Sequence, residues 1–190
     1  MTFVRVVVVE DYAPFRSFFC STLSKNPELQ IVAEIADGLE AVQKAEELQP
    51  DLIVLDLGLP TLNGIEAARR IRKVAPQSKI LFVSQESSAD VVEEALSLGP
   101  AGYVVKAYAG NELLAAVESA RQGKRFISAG LSGLAFGGNA AAQAPDSLPD
   151  EEIVPPPRKR AIPSSYTIEE RHKQEGSHVS AHPYRSIPHI

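Results

Sequence analysis

Five side chains of complementary chemistry each follow an apolar run of the sequence. They are three acids, one hydroxyl and one amine, namely Glu10, Asp11, Asp56, Ser84 and Lys106. The runs that precede them have the composition of buried strands and span residues 3–9, 52–55, 80–83 and 102–105. In open α/β sheets, ligands bind outside the carboxyl ends of the strands. We therefore expect these five side chains to lie together at one edge of a parallel sheet.

The chemistry of this set suits a divalent cation and a phosphoryl group. Mg²⁺ prefers oxygen ligands, so carboxylates without histidine or cysteine fit it. Crowded carboxylates repel one another, and a bound cation allows all of them to stay ionised. Lys106 supplies a positive charge and Ser84 a hydroxyl donor for phosphoryl oxygens. One acid is then available as a nucleophile, because aspartyl phosphate is an established class of covalent intermediate.

The elements that must position these residues alternate along the chain. Strand-like patterns cover residues 3–9, 30–35, 52–55, 80–83 and 102–105. Helix-like patterns cover residues 14–25, 39–48, 64–74, 88–98 and 110–122. Five successive strand-helix units predict a parallel sheet with helices on both faces.

The ordered set of residues resembles the receiver domain of two-component response regulators. Further residues at the family's intervals carry the resemblance: Leu59, Pro60, Asn63, Gly64 and Tyr103. The resemblance covers residues 3–128, within a receiver domain that we place at residues 1–128. It is closest to the subclass in which the receiver domain precedes a LuxR-type helix-turn-helix, judging by residues 56–60, 102–106 and 123–128. The resemblance implies a doubly wound, flavodoxin-like sheet of five parallel strands in the order 2-1-3-4-5.

The same resemblance implies a role for each site residue. Asp56 would accept a phosphoryl group from a histidine kinase or a phosphotransfer protein. Mg²⁺ would be held by Glu10, Asp11, Asp56 and the backbone carbonyl of Gly58.

The resemblance also assigns the switch and its output. Lys106 and Ser84 would bind the phosphoryl oxygens, and Ser84 and Tyr103 would move when phosphate arrives. The output surface would comprise the fourth helix, the fifth strand and the fifth helix, and a homodimer could form through it. Because the reaction is self-modification, we expect a switch rather than an enzyme.

The character of the chain changes after residue 128. Residues 130–144 are rich in glycine and alanine, and residues 146–157 are rich in proline. Such a sequence favours extended, solvated backbone, so we predict a disordered tail over residues 129–190. A LuxR-type DNA-binding domain needs several amphipathic helices, and this stretch has no pattern for them. DNA is therefore not expected as a partner.

Composition adds further expectations and leaves two alternatives open. The net charge is −5, and the single cysteine, Cys20, excludes an internal disulfide. The apolar run at residues 3–9 is too short for a signal peptide, and no run approaches the length of a membrane span, so we expect a cytoplasmic protein without membrane contact. A DNA-binding transcriptional regulator and a Mg²⁺-dependent phosphatase remain the alternative functions.

Overall fold

The computed structural model describes residues 3–132 of the chain. Six strands form one sheet: β1 Val4–Val9, β2 Leu29–Ile35, β3 Leu52–Leu55, β4 Lys79–Ser84, β5 Gly102–Val105 and β6 Phe126–Ile127. Five helices alternate with them: α1 Ala13–Leu23, α2 Gly38–Leu48, α3 Gly64–Val74, α4 Ala89–Ser97 and α5 Ala109–Arg121. Short 3₁₀ turns cover Lys106–Tyr108 and Ala129–Leu131. The predicted disorder of the chain beyond Ser132 lies outside the described residues.

All strand pairs are parallel, and the strand order is β2-β1-β3-β4-β5-β6. The predicted doubly wound α/β fold and its order 2-1-3-4-5 are therefore confirmed, with a sixth strand added beside β5. The sixth strand has only two residues, so no periodic pattern in the sequence can predict it.

The inner strands β3 and β5 are buried along their whole length because a helix layer covers each side of the sheet. Alternate residues of β3 show this: Ile53 packs in the core beneath α2, α3 and α4, and Val54 packs in the core beneath α1 and α5. Both are at most 1% exposed. This two-sided burial explains why these two strands are continuous apolar runs without polar alternation, and charged groups therefore follow them at their ends.

The absence of a side chain at Gly102 allows β6 to lie beside β5. Gly102 lies opposite both Leu81 of β4 and Phe126 of β6. A Cβ atom at Gly102 would lie 2.6 Å from the carbonyl oxygen of Phe126, so any larger residue would push β6 away. The chain then continues past the predicted domain boundary at residue 128, and Leu131 is buried in the core with 1% exposure.

We expect this C-terminal turn to contribute to stability. A chain that ends at Ser128 lacks the buried Leu131 side chain, and losing a buried leucine costs about 2–5 kcal/mol of unfolding free energy. A chain that ends at Ser132 retains it and is expected to unfold at nearly the same urea concentration as the full chain. Urea denaturation of the three chains measures the difference. Equal midpoints for the chains ending at Ser128 and Ser132 would show that Leu131 contributes nothing.

No helix within residues 3–132 combines the length and the apolar composition that crossing a membrane requires.

Candidate functional site

Three carboxylates meet at the carboxyl edge of the sheet. One oxygen each from Glu10, Asp11 and Asp56 lies within 4.8 Å of the other two. The register explains this proximity, because Val9 at the end of β1 is paired with Leu55 at the end of β3, and the acids follow directly. The sequence-based prediction that the two strand ends deliver these acids to one place agrees with this geometry.

Lys106 joins the carboxylates as a buried counter-charge. Its side chain is 5% exposed, and Nζ donates a hydrogen bond of 2.8 Å to Oδ2 of Asp56. The same nitrogen lies 2.5 Å from Oε2 of Glu10. Lys106 reaches this position because it directly follows β5 and opens the first 3₁₀ turn. The structure thus brings the predicted amine onto the predicted acids.

The ring of Phe15 forms one wall of the lysine site. Lys106 Nζ lies 4.9 Å from the ring centroid of Phe15, a distance at which the aromatic face attracts a cation. Phe15 in turn stacks on Phe19 of the same helix. The helical spacing of these aromatic residues predicts only a buried face of α1, so sequence reasoning missed the contact between Phe15 and Lys106.

Burial makes ionised Glu10 electrostatically unfavourable. It is completely buried, and this burial raises its pKa above the usual value. Nearby Asp56 raises the pKa further, while Lys106 lowers it without cancelling the rise. Oε1 accepts a hydrogen bond from the backbone N–H of Tyr12. Oε2 is buried and lies against the ammonium group of Lys106.

These observations test whether a divalent cation fits here. A buried carboxylate whose pKa stays raised despite the contact with Lys106, beside two other carboxylates, is a place where an added positive charge would lower the free energy. The donor set consists only of oxygen atoms, which hard cations prefer over nitrogen and sulfur. The residues therefore fit Mg²⁺.

The raised pKa of Glu10 predicts the effect of replacing it. A folded-state pKa above the unfolded value means that ionised Glu10 costs stability at neutral pH. Glu10→Gln resembles the protonated acid, so without metal it is expected to be more stable than the wild type at pH 7. This advantage should shrink as the pH falls through the folded-state pKa, and it should vanish below the unfolded value.

Urea denaturation in EDTA at several pH values measures the difference between the two chains. A Gln variant that is less stable than the wild type at pH 7 would contradict the prediction, because it would mean that the ion pair between Glu10 and Lys106 outweighs burial.

The loop after β3 folds tightly against the backbone of Asp56. A Cβ atom at Gly64 would lie 2.0 Å from the carbonyl oxygen of Asp56, so only glycine fits this position. The side chain of Asn63 caps the start of α3 by accepting a hydrogen bond from the N–H of Glu66. Gly58 lies beside the carboxylate, with the position of a Cβ atom 3.6 Å from Oδ2 of Asp56.

Ser84 and Tyr103 are connected through Glu86. Ser84 is buried at the end of β4, and its hydroxyl oxygen accepts a hydrogen bond from the N–H of Glu86 at 3.1 Å. The hydroxyl of Tyr103 donates to the carbonyl oxygen of Glu86 at 2.7 Å. Tyr103 is fully buried, and this burial raises the pKa of its phenol to about 12. Glu86 lies in the loop after β4, where no periodic pattern marks it, so its position between Ser84 and Tyr103 could not be predicted from the sequence.

The fold and this edge define a class of protein: a doubly wound α/β domain with a lysine-paired acid cluster at the carboxyl ends of its strands. Residues 6–118 match the family described as the response regulator receiver domain. The chain belongs to this family.

Similarity to individual proteins agrees with this membership. The chain is 32% identical over 124 residues to the transcriptional regulatory protein DegU of Brevibacillus brevis, which covers 65% of this chain and 52% of that protein. It is 41% identical over 105 residues to the protein-glutamate methylesterase/protein-glutamine glutaminase of Thermotoga maritima, covering 54% of this chain and 30% of that protein. The matched part of the chain spans about half the length of DegU and 30% of the methylesterase.

Comparison with solved structures also agrees with membership in the receiver-domain family. The crystal structure of a LuxR-family two-component response regulator from Aurantimonas sp. SI85-9A1 has 32% sequence identity and a TM-score of 0.66, covering 70% of this chain and 94% of that chain. The response regulator domain of Thermotoga maritima CheB has 36% identity and a TM-score of 0.57, covering 63% of this chain and 95% of that chain.

Proposed function

We propose that this chain is a phosphoacceptor module of a two-component signalling system and that Asp56 accepts the phosphoryl group. The observation that carries the proposal is the 2.8 Å hydrogen bond from buried Lys106 to Asp56 inside the acid cluster. A buried lysine supplies the positive charge that a transferred phosphoryl group requires, and it is already in contact with the proposed nucleophile. The phosphoryl donor would be a histidine kinase or a phosphotransfer protein.

The proposed reaction is an in-line transfer to one oxygen of Asp56. A bond forms between that oxygen and phosphorus, the bond between phosphorus and the donor's imidazole nitrogen breaks, and the imidazole keeps the electron pair and takes up a proton. Mg²⁺, held by Glu10, Asp11, Asp56 and the carbonyl of Gly58, would neutralise negative charge on the phosphoryl oxygens. Lys106 exchanges its contact with the free carboxylate for a contact with a phosphoryl oxygen.

Ser84 is suited to detect the product. Its hydroxyl accepts a hydrogen bond from the N–H of Glu86 and contacts the hydroxyl of Tyr103, and by rotating it would donate its proton to a phosphoryl oxygen. A shift of Ser84 toward the phosphate would displace Glu86, whose carbonyl oxygen holds the hydroxyl of Tyr103. The change would then reach the surface formed by α4, β5 and α5, which would bind the downstream partner or a second copy of the chain.

Phosphorylation by a small donor tests the proposal without a known kinase. The full chain is incubated with acetyl phosphate and Mg²⁺, and its intact mass is measured. We expect one phosphate per chain with Mg²⁺ and none when EDTA replaces the metal. The absence of a mass change under both conditions would contradict the proposal. Phosphotransfer profiling against the histidine kinases of the host would then identify the donor.

The same reaction separates a switch from an enzyme. A switch takes up one phosphate, whereas a Mg²⁺-dependent phosphatase would hydrolyse many molecules of a small phosphate ester per chain. The similarity to the methylesterase covers 30% of that protein and falls on its receiver portion, so it does not favour catalysis here. We propose that the chain is not an enzyme.

The name of one relative favours a second candidate function, a DNA-binding transcriptional regulator. The similarity to that relative is confined to about half of its length. Gel-shift binding that persists at about 200 mM salt would support this candidate, because purely electrostatic contacts weaken strongly at that concentration.

A further inference from the structure

A second concave region lies at the amino edge of the sheet, opposite the acid cluster. It has a volume of about 360 Å³, and four of its lining residues are basic: Arg72, Lys79, Lys124 and Arg125. None of the described residues that line it is acidic. We call this region the basic cleft. It contrasts with the chain as a whole, whose net charge is −5.

The sixth strand creates this concentration of charge. Gly102 is paired with both Leu81 and Phe126, and Lys79 and Lys124 each precede their paired residue by two positions. The two lysines therefore reach the same level of the sheet edge. The register also pairs Leu52 with Lys79, so Asp56 lies four residues further along the sheet, roughly 13 Å away at the usual rise per residue. The basic cleft is thus separate from the acid cluster.

The positive charges of the basic cleft are not neutralised by carboxylates. None of its four basic residues forms an ion pair within residues 3–132, whereas Arg69 and Arg70 of the same helix as Arg72 both pair with Glu66. Arg72 instead donates to the carbonyl oxygen of Gly99 at 2.6 Å, and its Nε is a buried donor without an acceptor among the described residues. Buried donors are normally satisfied, so this N–H is a donor that an acceptor bound in the cleft would satisfy.

Helix capping explains part of this arrangement but not all of it. Lys79 donates to the carbonyl oxygen of Ala120 at the end of α5, and Arg72 lies in the last turn of α3, where cations are favourable. Lys124 and Arg125 follow the end of α5, and both are exposed. They increase the positive charge of a cleft that already contains two cations, which costs electrostatic free energy unless an anion offsets it.

We propose that the basic cleft binds the diphosphate group of a small molecule. Its volume is within the range of small-ligand sites, and it offers both arginine, which can bind phosphate oxygens in pairs, and lysine, which acts as a point charge. Cations that come from α3, β4 and the segment before β6 surround one volume, and this arrangement suits a compact anion with several charges. The binding site is independent of Asp56 and goes beyond the proposed phosphoacceptor function.

Inorganic pyrophosphate is the probe for a binding experiment on the full chain. Amide resonances are followed by NMR in Mg²⁺-free buffer during a titration. We expect saturation at or below about 1 mM, equivalent to a modest binding free energy. The largest chemical-shift changes should occur at the backbone amides of residues that line the basic cleft, namely Gly99, Ala101, Gly123, Lys124 and Arg125.

A matched pair of double variants distinguishes binding of pyrophosphate at the basic cleft from its general attraction to positive charge on the chain. Lys124→Glu combined with Arg125→Glu removes two cations of the basic cleft. Lys25→Glu combined with Lys73→Glu makes the same change in net charge at exposed positions that do not line it. We expect about tenfold weaker binding in the first variant and nearly unchanged binding in the second.

Three results would overturn the proposal: no saturation, equal weakening in both variants, or the largest shifts around Asp56. If the first variant does not fold, the map of shifts in the wild-type chain decides between the basic cleft and other locations without any variant.

Discussion

Asp56→Asn is expected to abolish phosphorylation of the chain by acetyl phosphate. The variant replaces the proposed nucleophilic carboxylate with an amide that cannot form an acyl phosphate under these conditions. The side chain keeps its size, so the tight packing of the loop against the backbone of Asp56 at Gly64 should persist. Intact mass after incubation with Mg²⁺ and acetyl phosphate measures the result. We expect a reduction of at least about 100-fold in the phosphorylated fraction, in line with the loss of a covalent nucleophile.

The control variant is Asp90→Asn. Asp90 is an exposed acid in the first turn of α4, so its replacement makes the same chemical change away from the cluster. It should be phosphorylated to the wild-type extent. If Asp56→Asn gains a phosphate like the control, then another residue is the acceptor and the proposed role of Asp56 is wrong.

The sequence predicted the fold and the meeting of the charged groups for one physical reason. Strands that are buried on both faces contain only apolar residues, so their ends are marked by the first charged residue. In a parallel sheet the carboxyl ends of all strands lie at the same edge. Glu10, Asp11, Asp56 and Lys106 were therefore expected at one edge, and the strand order that the family resemblance implied placed them close together there.

The sixth strand could not be predicted in the same way. It has two residues, and it depends on contacts between distant parts of the chain. Gly102 leaves room for Phe126, and Glu112 of α5 accepts hydrogen bonds from the hydroxyl of Ser128 and the N–H of Ala129. No local pattern contains this information. The basic cleft was missed for the same reason, because it exists only once β6 lies beside β5.

Two contacts around the acid cluster were also beyond sequence reasoning. Phe15 has the spacing of a core residue, and its contact with Lys106 depends on where the 3₁₀ turn after β5 places the amine. Glu86 connects Ser84 to Tyr103 through backbone atoms, which every residue type possesses. Residue type can therefore identify groups that carry charge or a nucleophile, but not the neighbours that orient them.

Asp11→Asn is expected to weaken Mg²⁺ binding by at least about 100-fold. Asp11 contributes one of only three clustered carboxylates, and even residues that merely orient metal ligands change affinity 10–100-fold when they are replaced. The remaining acids cannot substitute for it, because two carboxylates leave the oxygen shell of Mg²⁺ with one protein ligand fewer. Calorimetric titration of Mg²⁺ into the full chain measures the affinity, and the rate of phosphorylation by acetyl phosphate should fall in parallel at a fixed Mg²⁺ concentration.

The matched control for this measurement is Asp37→Asn. Asp37 lies after β2, at the same edge of the sheet, but its side chain caps α2 by accepting hydrogen bonds from the N–H groups of Leu39 and Glu40. Asparagine caps helices as well as aspartate does, so this variant should keep both its fold and its Mg²⁺ affinity. Equal affinities for Asp11→Asn and Asp37→Asn would mean that Asp11 is not a ligand. A large loss in both variants would instead mean that Mg²⁺ responds to the total negative charge of this edge and not to a defined set of ligands.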